Sequence, residues 1–86
     1  GYVLDVQADV LSELNTRVVV PLLPLTQAPV PADRLNPVFN IGDEQYVMVT
    51  QFMAAVPRAL LRSPVTSLTG QDNEIMAALD MLLVGF

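Results

Sequence analysis

The stretch PVFNIGDEQYVMVT, residues 37–50, decides the fold. Val38–Ile41 and Gln45–Thr50 are rich in β-branched and aromatic residues, and Gly42-Asp43 stands between them. Glycine tolerates the positive φ that a tight hairpin requires, so the segment predicts two antiparallel strands joined by a short turn. Working back from it, Thr26–Asn36 (TQAPVPADRLN) is a proline-rich connection, expected to be extended. Arg17–Leu25 (RVVVPLLPL) is an apolar run of strand length that fits a strand buried on both faces. Its prolines, Pro21 and Pro24, predict that the second half lies at a sheet edge or a bulge, because proline cannot donate to the ladder. Tyr2–Gln7 (YVLDVQ) predicts a further strand. Between these two strands, Asp9, Ser12 and Asn15 predict a loop or a single helical turn, in which the apolar Val10 and Leu11 are unusual.

Toward the C-terminus, Gln51–Val56 reads as a turn or short helix and Val65–Leu68 as another short strand. Asn73–Leu83 predicts an α-helix, with Ile75, Met76, Leu79, Leu82 and Leu83 at i, i+1, i+4, i+7 and i+8 in one stripe. Thr69 or Asp72 is placed to cap it, Asp72 and Glu74 sit near the positive end of its dipole, and Gly85 is placed as its C-cap residue. Strands followed by one helix imply an antiparallel sheet in an α+β fold, a single domain over residues 1–86.

Composition sets further bounds. Hydrophobic residues make up 52% of the 86 and charged residues only 15%. A chain of this size hides roughly 60–65% of its unfolded surface. It therefore carries more apolar surface than one small core can bury, and a homodimer is expected. The formal net charge is −5, and the basic residues Arg17, Arg34, Arg58 and Arg62 are dispersed. Phosphate neutralisation needs a positive field, so direct nucleic-acid binding and anionic membranes are both disfavoured. The sequence has no cysteine and no histidine, which removes thiol chemistry, the commonest general base and the commonest metal ligand. No apolar run reaches the ~18 residues of a membrane helix. The chain opens with Gly1 directly ahead of an apparent strand, and residues preceding it are expected.

Few side chains invite chemistry. Asp5 and Asp9 are two nearby carboxylates, but solvated surface and turn capping account for them better than acid–base work. Asp43-Glu44 supplies only two ligands on a hairpin turn, so turn chemistry is the better account than a cation site. Met48, Met53, Met76 and Met81 read as core filler before they read as a binding surface. No catalytic, metal or cofactor site is expected. The tail LDMLLVGF, residues 79–86, is different: Val84 and Phe86 carry apolar character past the helical stripe, and a partner-binding tip competes evenly with back-folding onto the sheet.

LDVQADVL, RVVVPL, LNPVFNIGDEQYVMVTQFMAAVP and NEIMAALDMLLVGF, in that order, resemble the CcdB toxins of bacterial toxin–antitoxin modules over essentially the whole chain. The resemblance implies a twisted antiparallel β-sheet with a small accessory sheet and a C-terminal α-helix, a CcdB/MazF-like barrel, in a twofold homodimer. Family members usually begin with a further strand. The resemblance also implies a cytoplasmic, non-enzymatic toxin that binds the A subunit of DNA gyrase, traps gyrase on cleaved DNA and is removed by a CcdA-like antitoxin. Residues matching the gyrase-contacting motif are Val10, Leu11, Asp80, Leu83, Val84, Gly85 and Phe86. Well-characterised members carry Asn, Phe, Trp and Ile where this chain has Asp80, Leu83, Val84 and Phe86. Those departures raise a second reading, a CcdB-fold protein that binds an antitoxin but has lost or changed gyrase poisoning. A third is a ribonuclease, since the fold is similar to that of the MazF and Kid endoribonucleases. The lack of histidine and the negative charge weigh against it.

Overall fold

The computed structural model describes residues 2–11, 13–28, 30–61, 65–66 and 70–85, with nothing stated of the side chains of residues 9, 65 and 66. Thr69 as a cap, Phe86 at the tip and the end of the predicted Val65–Leu68 strand lie outside them. The strands are β1 (Tyr2–Asp5), β2 (Thr16–Pro24), β3 (Val38–Ile41), β4 (Glu44–Met48), β5 (Ala54–Pro57) and β6 (Val65–Thr66), and α1 (Asp72–Leu83) follows. Short 3-10 turns occur at Asp9–Leu11, Thr50–Phe52 and Arg58–Leu60.

The hairpin forms as predicted. Ile41 pairs with Glu44 across Gly42-Asp43, and Gly42 takes φ +63° while Asp43 stays negative, the signs of a type II′ turn. The strands run in the order β3-β4-β2-β1-β6, and β5 pairs with β2. All pairs are antiparallel except β1 with β6, which is parallel and makes the sheet mixed. The accessory part is a branch of the same sheet, because β5 takes the first half of β2 and β4 the second.

That handover corrects the edge expectation for the prolines. β2 is the central strand. Pro21 pairs with Val3 on the β1 side, and its other side lies between the last β5 partner, at Val19, and the first β4 partner, at Leu22. The carbonyl of Pro21 accepts from the Val49 amide there. The Val49 carbonyl, which a donor at position 21 would have met, accepts from the Phe52 amide instead, so the donor that proline lacks leaves no acceptor unmet. Pro24 lies beyond the last β1 pair, at the end of the strand.

The sheet's inner face and α1 enclose the core of Leu4, Val20, Leu22, Phe39, Met48 and Ala78. Alternation puts Val19 and Val47 on the opposite face, where they are also buried, so β2 is buried on both faces as expected. Of Gln51–Val56, expected as a turn or short helix, the start lies in the Thr50–Phe52 3-10 turn, but Ala54–Val56 belong to β5. The connection through residues 32–36 is folded rather than extended. Buried Asn36 accepts from the Ala32 amide (3.0 Å) and donates to the Met48 carbonyl (3.0 Å) and Gln51 Oε1 (2.7 Å).

Candidate partner-binding site

α1 begins without a side-chain cap. Gln71 occupies the N-cap position and Asp72 is the first helical residue, so the expected Asp72 cap is not formed. Asp72 and Glu74 nevertheless sit in the first turn, where their charge favours the helix dipole.

The predicted stripe divides in two. Ile75, Ala78 and Leu79 pack toward the sheet, and Leu82 is half-buried. Met76 and Leu83 point elsewhere and keep 55% and 68% of their surface exposed, and Val84 just beyond keeps 61%. Adjacent helical residues are separated by about 100° around the axis. Ile75 and Leu82 can therefore face the core while Met76 and Leu83 flank it. Asp80 lies between Met76 and Leu83 at i+4, also exposed. Of the methionines expected as core filler, Met48 is buried, Met53 and Met81 are half-buried, and Met76 is the exposed one.

The helix closes on the backbone carbonyl of Asp80, which accepts from the amides of Val84 (2.8 Å) and Gly85 (3.0 Å). Gly85 takes φ +87°, a left-handed conformation that glycine reaches without strain, and the chain leaves the helix there. Gly85 thus ends the helix as predicted, leaving Leu83 and Val84 at an open tip.

A second apolar locus stands on the Asp9–Leu11 turn. Val10 is 88% exposed, and Leu11 and Leu14 are about half exposed. Leu14 was not among the sequence candidates; its amide bonds back to the Leu11 carbonyl, which keeps it beside the turn. Among the described residues, α1 packs chiefly against the sheet core and the Thr50–Phe52 turn rather than against this locus. Of the candidate residues, Asp80, Leu83, Val84 and Gly85 are contiguous, and Val10 and Leu11 form a separate pair.

The family model for CcdB protein matches residues 1–85. The chain belongs to the CcdB family. It is accordingly a toxin of the toxin–antitoxin kind, and the family is not one of catalysts.

In this CcdB chain the Val10–Leu11 turn is anchored by a polar cluster that sequence reasoning missed. Asp5 was expected on solvated surface; instead its Oδ2 accepts from Arg17 Nε at 2.7 Å, and Arg17 Nη2 lies 2.7 Å from the same oxygen. Burial alone would push the Asp5 carboxyl up. The Arg17 bond, the Gln7 amide and the positive charges of Arg17 and Arg58 together outweigh burial and hold it below the usual carboxylate range. Gln7 then reaches both ways, accepting from the Val18 amide (3.0 Å) and donating to the Leu11 carbonyl (2.8 Å). Of the two acids at the hairpin, Glu44 accepts from the Tyr46 hydroxyl at 3.1 Å on the surface. Among the described residues there is no group of three or more acidic side chains arranged to hold a metal, and no helix is long and apolar enough to cross a membrane.

Proposed function

We propose that this CcdB-family chain binds the A subunit of DNA gyrase, traps gyrase on cleaved DNA and is neutralised by a cognate CcdA-like antitoxin. It acts by binding and catalyses no reaction. The observation that carries this reading is the helix end, where Leu83 and Val84 stay exposed instead of folding under the sheet. Exposed apolar side chains at the end of a closed helix offer burial to a partner, worth ~25 cal/mol per Å².

The active species is a homodimer. A standard interface buries about 800 Å² on each partner. Neither the helix end nor the Val10–Leu11 turn presents that many side chains alone. A twofold axis that pairs the helix ends doubles the apolar tip and unites it with the turn loci. Gyrase is the partner, so the cytoplasm is the place of action. Expression without antitoxin should arrest growth and accumulate gyrase–DNA cleavage complexes. Normal growth with verified full-length protein overturns the reading.

Val84 and Asp80 favour one alternative, a family member that retains antitoxin binding and has lost gyrase poisoning. Tryptophan is a frequent interface hot spot worth ≥ 2 kcal/mol, or roughly 30-fold in affinity, and the resemblance puts valine in its place. Pull-down of purified gyrase A by the wild type, and by a version lacking Val84–Phe86, separates the two. Tight capture that the truncation abolishes supports poisoning, and no capture by the wild type supports the alternative.

A further inference from the structure

We infer that Gln7 is a positioning residue: its side chain splints the Asp9–Leu11 turn to the central strand and so fixes how Val10 and Leu11 are presented. This role deepens the partner-binding reading above and rests on it for its function.

The argument begins in the ladder. β1 and β2 pair in the register Leu4↔Val20 and Asp5↔Val19, so Val6 and Val18 come next. In an antiparallel pair of this class, each residue would donate to the other's carbonyl. Only half of that exchange is made by backbone. The Val6 amide donates to the Val18 carbonyl at 3.0 Å, but the Val18 amide donates to Gln7 Oε1 at 3.0 Å. The chain turns away after Val6, and the Gln7 carboxamide stands in for the backbone acceptor that a continuing strand would provide.

The other end of the same carboxamide holds the turn. Gln7 Nε2 donates to the Leu11 carbonyl at 2.8 Å, and that carbonyl also accepts from the Leu14 amide at 3.1 Å. Leu11 itself donates to the Ala8 carbonyl. Among the described residues, the hydrogen bonds that tie the turn to β2 therefore run through this one side chain. Gln7 is in turn fixed by its own amide, which donates to Asp5 Oδ1 at 3.0 Å while Arg17 holds Oδ2. A carboxamide supplies both at neutral pH, an acceptor at the oxygen and a donor at the nitrogen. Val10, almost fully exposed, makes no packing contribution that could hold the turn in its place.

The test separates the two ends of the carboxamide in the intact chain, by amide exchange. Gln7→Glu keeps the acceptor for Val18 and replaces the donor to Leu11 with a second oxygen. Gln7→Met removes both bonds without adding charge. In Gln7→Glu, exchange at Leu11 and Leu14 should rise about two- to tenfold, the range set by the net worth of one hydrogen bond, with Val18 unchanged. In Gln7→Met, Val18 should rise as well. A purely structural loss would instead raise exchange uniformly, including at Phe39 and Tyr46 in the hairpin. Unchanged exchange at Leu11 and Leu14, or a uniform rise, overturns the splint. Gyrase A affinity supplies the functional arm: a released turn must be re-ordered on binding, so Gln7→Glu should bind up to the same factor more weakly. Undiminished binding overturns the positioning role. If the wild type does not bind gyrase A, the gyrase reading fails, and the exchange pattern alone decides the splint.

Discussion

Leu82 and Leu83 are neighbours in α1, and opposite outcomes are expected when each is truncated. Leu83 retains 68% of its surface, whereas Leu82 is half-buried. Fully burying a leucine is worth about 1.5–3 kcal/mol. Roughly two thirds of that remains for a partner to gain at Leu83, or ~1–2 kcal/mol for each helix end. Leu83→Ala should therefore leave the thermal midpoint of the free protein nearly unchanged, within the ~0.5 kcal/mol usual for exposed positions. It should weaken capture by gyrase A about 5- to 30-fold for each tip engaged. Leu82→Ala should do the reverse and lower the midpoint, by less than the ~2–5 kcal/mol of a fully buried leucine, since part of its surface is already wet. Calorimetric melting of both variants, paired with titration against gyrase A, reads the two effects separately. An equal loss of stability in both variants would place Leu83 in the protein's own packing, and the argument from exposure would fail.

Leu22→Ala, fully buried at the centre of β2, should cost about 2–5 kcal/mol by denaturant unfolding. Gly85→Ala meets no atom within 4 Å, so its cost is backbone strain at φ +87°, about 1–2 kcal/mol, read as loss of protection at the Val84 amide. Asp5 has a lowered carboxyl pKa in the fold, so its contribution is present above the unfolded value of 3.8 and is lost as pH falls through the lower folded value. Asp5→Asn should flatten that acid limb of the stability profile and lower stability at neutral pH. Asp80→Asn removes a negative charge close to the helix C-terminus and should raise stability by about 0.3–1 kcal/mol in low salt, an increment that salt erases.

Local pattern made the hairpin, the central strand and the helix legible. Gly42-Asp43 between two β-rich runs has one economical solution, and the apolar run of β2 reads as a strand buried on both faces, though its prolines pointed to an edge. What stayed hidden depends on contacts distant in sequence. Ala54–Pro57 has little strand propensity of its own; it becomes β5 because the first half of β2 is left without β4. The same handover makes room for Pro21 in a central strand, which proline's missing donor argues against when the residue is taken alone. At the site, the type of residue was legible and its orientation was not. Ile75 and Met76 are equally apolar and adjacent, and only the docking angle of α1 decides which of them is buried. Gln7, whose bonds reach Leu11 and Val18, carries no signal in composition or spacing.

The two apolar loci are fixed by different means, and the difference bears on how a binding protein keeps affinity. The helix end is set by backbone alone, through the Asp80 carbonyl and the turn at Gly85, so its side chains can vary without unseating it. That is consistent with Leu83 and Val84 standing where the family resemblance puts larger aromatics. The Asp9–Leu11 turn is closed by backbone bonds within itself, but its hold on the central strand depends on polar side chains outside it, Gln7 backed by Asp5 and Arg17. A partner that buries Val10 and Leu11 is spared the cost of ordering them only while that chain of bonds is intact. Substitution at the helix end therefore alters what is buried, whereas substitution at Gln7 alters what must be ordered first, and the cost of the second is limited to the strength of the splint it removes.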